Sequence, residues 1–205
     1  ACGSSKTVTT DSGTAADTDV DADTDADTDT DADSDADSDS DVTNAAAVAV
    51  CSRWKSDRQD LSEGSWSGNT NGCDAGTLSQ VGHDNTLKLV NLYRYVAGAG
   101  PVTEDAAMSA GAQECSLMMD ANNALNHTPP VDWNCYGQLG ADTAGSSNIA
   151  TTMAVEAVDL YMVDPGNETT MGHRRWILGN WIGPVGIGGT DSYSCLMVNG
   201  DGLSG

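Results

Sequence analysis

Positively charged residues are scarce in this chain. Its 205 residues include 8 lysines and arginines against 31 aspartates and glutamates, which gives a formal net charge of −23. No lysine or arginine occurs between Lys6 and Arg53, and no basic patch stands out elsewhere. Because neutralisation of phosphates by basic side chains dominates nucleic-acid binding, we predict no nucleic-acid partner. Attraction to an anionic membrane surface is disfavoured for the same reason.

Long apolar runs and several catalytic motifs are also missing. No apolar stretch approaches the ~20 residues that a membrane span requires. The chain has no C-x-x-C spacing for zinc or redox chemistry and no G-x-S-x-G elbow for a nucleophilic serine. The glycines at 186, 188 and 189 do not open a helix, so they do not form a nucleotide-binding loop. Small residues there let a helix approach a strand closely.

Aspartate occupies every odd-numbered position from Asp17 to Asp41. Such a segment cannot bury enough apolar surface to offset the entropy of ordering it, and its charges repel one another. We therefore predict a disordered, solvated acidic tether over residues 1–48. An EF-hand calcium loop is not predicted, because the required glycine and terminal glutamate are absent.

The cysteine near the start of the chain has a distinctive setting. Cys2 is followed by small polar residues and then by the acidic tether, an arrangement that resembles the mature start of a bacterial lipoprotein. We predict that Cys2 carries a lipid and that a signal peptide precedes it in the precursor. The alternative is an ordinary cysteine exposed by trimming.

The other five cysteines are spread through Gly/Asn/Ser-rich sequence, which favours structural disulfides in an oxidising compartment. Proximity in sequence favours Cys51 with Cys73 and Cys115 with Cys135. Cys195 is then unpaired, buried as a thiol, or paired with a residue beyond the sequence. Residues 49–82 lack apolar periodicity, so we predict an irregular, disulfide-stapled lead-in to the main domain.

Periodicity predicts helices and strands in the rest of the chain. We expect three helices, at about 84–97, 104–121 and 150–163, followed by a short helical turn that carries His173. Asp84 and Thr103 are the expected caps of the first two helices, and His83 is expected on the surface. Two strands are predicted at 184–189 and 192–198. Helices followed by a small antiparallel sheet favour an α+β fold.

The order of these signatures resembles the CAP domain family, which includes cysteine-rich secretory proteins, antigen 5 and plant pathogenesis-related proteins. The similar segments span roughly residues 84–190 and are Asn91–Arg94, Leu125–His127, Gly145–Ala150, Tyr161–Asp164, Gly172–Arg174 and Val185–Gly188. The resemblance implies a three-layer α-β-α sandwich over residues 83–205. The family's sheet usually has one more strand than we predict here, which is consistent with a truncated chain.

The family's cleft carries two histidines and two acidic residues, and in some members the histidines bind zinc. By position the histidines are His127 and His173, and Asp164 stands where a glutamate is usual. Ser147 replaces the glutamate of a Gly-Glu-Asn sequence, and Tyr161 replaces a tryptophan. Since serine can neither act as a general base nor supply a full negative charge, half of the acidic component is missing.

These features predict an extracytoplasmic, lipid-anchored protein at the cell surface or secreted, in a bacterial outer envelope. We expect a non-enzymatic binding module whose cleft, formed by His127, Ser147, Asp164 and His173, takes a small molecule, a lipid or a protein. Zinc on His127 and His173 is the cofactor that the resemblance implies. The alternatives are a zinc-dependent hydrolase at the same cleft and a purely structural surface domain. Membrane contact is expected only through the lipid.

Overall fold

The structure, a computed structural model, describes the backbone of residues 38–198 and the side chains of residues 45–198. The predicted lipidation at Cys2, most of the aspartate repeat and the segment after residue 198 lie outside the described residues. The chain divides into two units, residues 1–51 and 52–205. The described part of the first unit is the beginning of a helix, and everything below concerns the second unit unless stated.

The first helix, α1, spans Ser38–Asp57, although the sequence favoured a tether and then an irregular lead-in there. Its middle contains three consecutive alanines at 45–47, the residue with the highest helix propensity. Arg53 Nε lies 3.0 Å from a carboxylate oxygen of Asp57 one turn later. In the second unit the Trp54 ring packs edge-on against Tyr93, with ring centroids 5.5 Å apart. Helix propensity and aromatic packing therefore override the low apolar periodicity of this segment.

Five further helices and three strands form the rest of the described structure. The helices are α2 (Gln80–Val96), α3 (Ala106–Asn122), α4 (Gln138–Ala144), α5 (Ala154–Val163) and α6 (Gly172–Leu178), and the strands are β1 (Ser147–Ala150), β2 (Gly186–Gly189) and β3 (Ser194–Met197). The sheet order is β1-β3-β2 with both pairings antiparallel. None of the described helices is both long enough and apolar enough to cross a membrane.

Helices cover both faces of the sheet. Helices α3 and α4 pack on one face, and α2, α5 and α6 form the layer on the other. This arrangement is the predicted α-β-α sandwich. The larger core lies under α2, α5 and α6 and includes Leu89, Leu92, Val158, Ile177, Ile187 and Leu196. The smaller core lies under α3 and α4 and includes Cys115, Met119, Ala144, Ile149 and Cys195.

Glycines on β2 set the distance between the sheet and α3. A Cβ added at Gly188 would lie 2.2 Å from the backbone carbonyl carbon of Ala112, and one at Gly186 would lie 2.4 Å from that of Met108. Atoms cannot approach so closely, so only glycine allows α3 to lie against this strand. The prediction that small residues permit a close helix approach is confirmed.

The helix caps differ from those expected. Helix α2 begins at Gln80, so Asp84 lies within the helix, one turn after its start, where it accepts a hydrogen bond from Gln80 Nε2 at 2.8 Å. Helix α3 is capped by Asp105 rather than Thr103, because the Asp105 carboxylate accepts two first-turn backbone N–H groups at 2.9 Å. The predicted cap of α3 was two residues from the observed one, whereas α2 begins four residues before Asp84, with Ser79 at its N-cap.

The disulfide pairing predicted from sequence proximity is wrong. Cys73 is bonded to Cys135, and Cys115 is bonded to Cys195, across separations of 62 and 80 residues. Cys51 is itself disulfide-bonded. The Cys115–Cys195 bond joins α3 to the central strand of the sheet with both residues fully buried. The prediction that the cysteines form structural disulfides is confirmed for these two pairs, which indicates an oxidising compartment.

Candidate functional site

The turn between α5 and α6 brings Asp164 beneath His173. Asp164 ends α5 in the left-handed region, with φ of 56°, and Met171 opens α6 with φ of 46°. The reversed chain places Asp164 Oδ1 2.7 Å from His173 Nδ1, while Oδ2 accepts the backbone N–H of His173 at 3.0 Å. Asp164 is 1% exposed. One buried carboxylate therefore fixes both the backbone and the ring of the histidine.

The protonation state of this pair follows from its surroundings. Burial raises the pKa of the Asp164 carboxyl, but hydrogen bonds from His173 and Asn167 outweigh burial and bring the pKa below its ordinary value. Asp164 is thus an ionised acceptor, and Nδ1 of His173 carries the proton that it donates. In the neutral ring, the remaining nitrogen, Nε2, has a free lone pair.

Two buried residues hold His173 from its other side. The Tyr161 ring lies against the His173 ring with centroids 5.3 Å apart. The Tyr161 hydroxyl donates to the backbone oxygen of Asn148 at 3.0 Å, and Asn148 Nδ2 donates to the backbone oxygen of His173 at 3.1 Å. Burial raises the pKa of Tyr161, so its hydroxyl remains a donor at neutral pH. Helix α5, strand β1 and helix α6 are joined through these contacts.

His127 reaches the same region from the loop between α3 and α4. Its Nδ1 lies 2.8 Å from the backbone oxygen of Ala144 at the end of α4. A carbonyl oxygen can only accept, so Nδ1 is protonated and Nε2 is again the nitrogen with the free lone pair. His127 is exposed, in contrast to the half-buried His173. The two imidazoles therefore have the same tautomer, which a carboxylate fixes in His173 and a backbone carbonyl fixes in His127.

A cleft of about 340 Å³ contains both imidazoles. It is lined by His127, Gly145, Ser146, Ser147, Asn148, Asn167, Gly172, His173, Trp176 and Val198. Of the four residues predicted for the cleft, His127, Ser147 and His173 line it, whereas Asp164 lies behind His173. The Ser147 hydroxyl donates to the backbone oxygen of Thr143 at 2.8 Å, so its proton is already engaged.

The described residues fit a metal ion only in part. The two Nε2 lone pairs suit a divalent cation such as zinc. No group of three His, Cys, Asp or Glu side chains that could hold a metal occurs among the described residues. Asp164 is committed to His173 and orients it rather than serving as a ligand. The protein would thus provide two nitrogens, and water or a bound ligand would complete the coordination.

Three lining residues were not singled out from the sequence. Asn148 follows Ser147 directly, within a segment that carried the family resemblance. Trp176 lies three residues after His173 on α6, a spacing that places both on one helix face. Asn167 lies in the turn between α5 and α6 and donates to Asp164 at 3.2 Å. Helical spacing could have identified Trp176, whereas the other two needed the fold.

The remaining histidine lies in a second cleft of about 380 Å³, lined by residues of α2, α3 and the segment at 75–78. His83 Nδ1 and the Ser109 hydroxyl both contact Glu104 Oε1 at 2.6 Å. Burial raises the pKa of Glu104, but these hydrogen bonds outweigh it and lower the pKa. The His83 side chain is 18% exposed, so it is partly buried in the wall of this cleft. Its hydrogen bond to Glu104, which also bonds Ser109, holds the His83 ring beside α3.

The fold and the cleft together define a secreted-type α-β-α domain with a two-histidine cleft. The model of the cysteine-rich secretory protein family, CAP, matches residues 87–190, which is half of the chain. The chain therefore belongs to this family, and the resemblance found in the sequence is confirmed. No curated protein matches the chain.

A similar solved structure is that of an extracellular protein containing a SCP domain from Bacillus anthracis str. Ames, at 21% identity and a TM-score of 0.44. The similarity covers 55% of this chain and 38% of that protein. This chain thus matches well under half the length of that relative.

Proposed function

We propose that this protein is an extracytoplasmic binding module that takes its ligand, directly or through a metal ion, at the cleft around His127 and His173. The observation that carries the proposal is the shared tautomer of the two rings. Each Nδ1 is held by a protein oxygen, so each Nε2 is presented to the same cleft. Fixing such rings by separate hydrogen bonds to protein oxygens is the usual way to orient groups that bind.

A binding role is favoured over hydrolysis by the state of the acidic groups. No carboxylate is found among the described residues that line the cleft, and that of Asp164, behind His173, is buried and bonded to the histidine, so it cannot reach a substrate as a general base. The Ser147 hydroxyl donates to Thr143, which leaves it without a partner that would activate it as a nucleophile. A zinc ion held by the imidazoles would provide a point of attachment for an anionic or polar ligand group.

Zinc titration of the full chain tests the use of the cleft. We expect one equivalent of zinc to bind by isothermal titration calorimetry and binding to be lost in a variant with both His127→Ala and His173→Ala. The matched control is His83→Ala, which removes the third histidine from the other cleft and should retain zinc. Zinc binding that survives the double substitution, or that is lost in the control, would contradict the proposal.

An activity assay separates the binding module from the hydrolase. With zinc present, we expect no turnover of p-nitrophenyl acetate or of a casein substrate above that of the double-histidine variant. Turnover by the wild-type chain that disappears with both histidines would establish the hydrolase instead. If neither zinc binding nor turnover occurs, the domain is structural, and the double substitution changes only the free energy of unfolding.

The anchor is a separate part of the proposal and rests on the sequence at Cys2. We propose a diacylglyceryl group on its sulfur, which would hold the domain at the cell surface beyond the acidic segment. Because one sulfur cannot carry both a lipid and a disulfide, this proposal requires that the disulfide of Cys51 does not use Cys2. Mass spectrometry of the protein from its native host should show this adduct on the N-terminal peptide. An unmodified Cys2, or Cys2 recovered in a disulfide, would overturn the anchor without affecting the cleft.

A further inference from the structure

Several side chains that line the cleft present hydrogen-bond acceptors to it. Both imidazoles have donated their Nδ1 protons to protein oxygens and present lone pairs at Nε2. The Ser147 hydroxyl has donated its proton to Thr143 and can then only accept. Asn167 donates through Nδ2 to Asp164, which leaves its Oδ1 as an acceptor. Four of the polar side chains that line the cleft therefore offer it an acceptor.

Asn148 adds an acceptor that has no hydrogen-bond partner in the described part of the chain. The residue is 2% exposed, and its Nδ2 donates to the backbone oxygen of His173. The opposite amide orientation would set two oxygens against each other, so this assignment is fixed by chemistry. Its Oδ1 accepts no hydrogen bond in the described part of the chain. Ser194 Oγ is the side-chain atom of the described residues that is both buried from solvent and without a hydrogen-bond partner. Asn148 Oδ1 is not such an atom, so it remains accessible from the cleft.

The charges around the cleft favour a cation. No lysine or arginine is found among the described residues that line the cleft. The Asp164 carboxylate lies directly behind His173, 2.7 Å from its Nδ1. A ligand that complements this wall must supply several N–H donors and a positive charge.

Trp176 selects among such ligands by shape. It is the aromatic residue among the cleft-lining side chains, and a flat cation can lie against an indole ring. A guanidinium group is planar, permanently charged and carries five N–H donors with no acceptor. An ammonium group has three donors and no flat face. The guanidinium therefore matches both the acceptors and the aromatic wall.

We propose that the cleft binds a guanidinium group, as carried by the arginine side chain of a peptide or by a free arginine derivative. This inference rests on the proposed function, since it uses the same cleft, and it names the chemical class of the ligand. The Nε2 atoms of His127 and His173 and Oδ1 of Asn148 accept the guanidinium N–H groups, and Trp176 packs against its face.

The test compares two ligands of nearly the same shape on the full, metal-free chain. Isothermal titration calorimetry with L-argininamide should show one site, and L-citrullinamide, in which an uncharged urea replaces the guanidinium, should bind at least tenfold more weakly. L-lysinamide should bind more weakly than L-argininamide. Equal binding of argininamide and citrullinamide, or no binding of argininamide, would overturn the inference, and this test needs only the wild-type chain.

Variants then locate the site. Trp176→Ala should weaken argininamide binding about tenfold, whereas Trp54→Ala, which removes a tryptophan that packs on Tyr93 and does not line this cleft, should leave binding unchanged. Asn148→Ala should also weaken it, provided that circular dichroism shows the variant folded. If Asn148→Ala does not fold, Trp176→Phe, with partial retention of binding, provides the second measurement. Equal losses in Trp176→Ala and Trp54→Ala would contradict the assignment.

Zinc distinguishes failure of this inference from failure of the proposed function. Both ligands need the same Nε2 lone pairs, so a saturating amount of zinc should weaken argininamide binding at least tenfold. Zinc binding without argininamide binding would overturn the guanidinium assignment and leave the binding module standing. Simultaneous, independent binding of both would place argininamide elsewhere on the protein.

Discussion

Asp164 contacts both the backbone N–H and the ring Nδ1 of His173, at 3.0 Å and 2.7 Å. The same carboxylate is 1% exposed, so these two bonds form in an environment with little competition from water. Orientation of the ring and closure of the turn between α5 and α6 therefore depend on one side chain. A change at this residue should alter the stability of the fold and the cleft together.

The first prediction concerns Asp164→Asn. It replaces an acceptor by an amide N–H that faces His173, so we expect a loss on the order of 1–3 kcal/mol in the free energy of unfolding, measured with urea. Asp132→Asn, at an exposed position with the same change of charge, is the control and should be nearly neutral.

The pH dependence of this difference has a defined sign. The pKa of Asp164 is lower in the folded protein than its ordinary value. The contribution of Asp164 to the free energy of unfolding is therefore present above the unfolded-state pKa and is lost as the pH falls through the folded-state pKa. The difference in the free energy of unfolding between wild type and Asp164→Asn should become smaller as the pH is lowered. A larger difference at low pH would contradict the ionised state of Asp164 in this pair.

The second prediction concerns Arg94, a guanidinium that is 3% exposed and caps α6 from α2. It donates to the backbone oxygens of Gly100, Ile177 and Gly179 at 2.7, 2.6 and 3.0 Å. Burial lowers its pKa, and the described structure offers it carbonyl dipoles rather than a carboxylate. Such a site suits a positive charge because the carbonyl groups at the end of a helix carry partial negative charge.

Replacing Arg94 by methionine keeps much of the volume and leaves these carbonyl groups without a donor. We expect a loss on the order of 3 kcal/mol in the free energy of unfolding, together with weaker zinc binding, because α6 carries His173. Arg175→Met, on the exposed side of the same helix, is the matched control. Equal stability of the two variants would show that Arg94 is not a structural cap.

The third prediction uses the contrast between two glycines. Gly188→Ala forces a methyl group into the backbone of α3, where the Cβ would lie 2.2 Å from Ala112. We expect a loss of about 1–3 kcal/mol or more in the free energy of unfolding. Gly183→Ala, where no atom lies within 4 Å of an added Cβ, should be neutral or slightly stabilising. Thermal unfolding of the two variants side by side measures the difference.

The fourth prediction concerns Tyr93, which donates to Asp159 at 2.6 Å beside Arg58. Burial and the bond to Asp159 raise the pKa of Tyr93 to about 12, against the opposing effect of Arg58. The raised pKa means that its contribution to stability is full below about pH 10 and is lost as the pH rises towards 12.

Absorbance at 295 nm, taken as the difference between wild type and Tyr93→Phe, should show this titration. In the Asp159→Asn background, the midpoint of this Tyr93 titration should move towards pH 10, because the negatively charged acceptor that disfavours the phenolate is gone. A Tyr93 titration at the ordinary value in the wild-type chain would contradict the described cluster.

The sequence was informative where a local pattern coincided with the final structure. Apolar periodicity located α2, α3 and α5 to within a few residues, and glycines alternating with Ile187 indicated the edge strand β2. The order of the family segments placed His127 and His173, although their separation of 46 positions says nothing about distance. These features depend on neighbours in the chain or on the resemblance, so they could be predicted.

Other features depend on contacts that no local pattern records. Strand β1 is the four residues Ser147–Ala150, buried on both faces and without polar alternation, so it was predicted as part of a loop. Helix α4 has only seven residues, and two of its glycine and alanine positions are buried against neighbours. The disulfides join elements 62 and 80 residues apart, and proximity in sequence misled the pairing.

The strand order has a consequence for how the protein is made. β3, the last strand described, lies between β1 and β2, so neither neighbour has a partner until β3 has been synthesised. The sheet therefore cannot be completed before β3 has left the ribosome. A polypeptide that must cross a membrane before it folds gains from this order, because the strand that completes the described sheet is made after both of its neighbours.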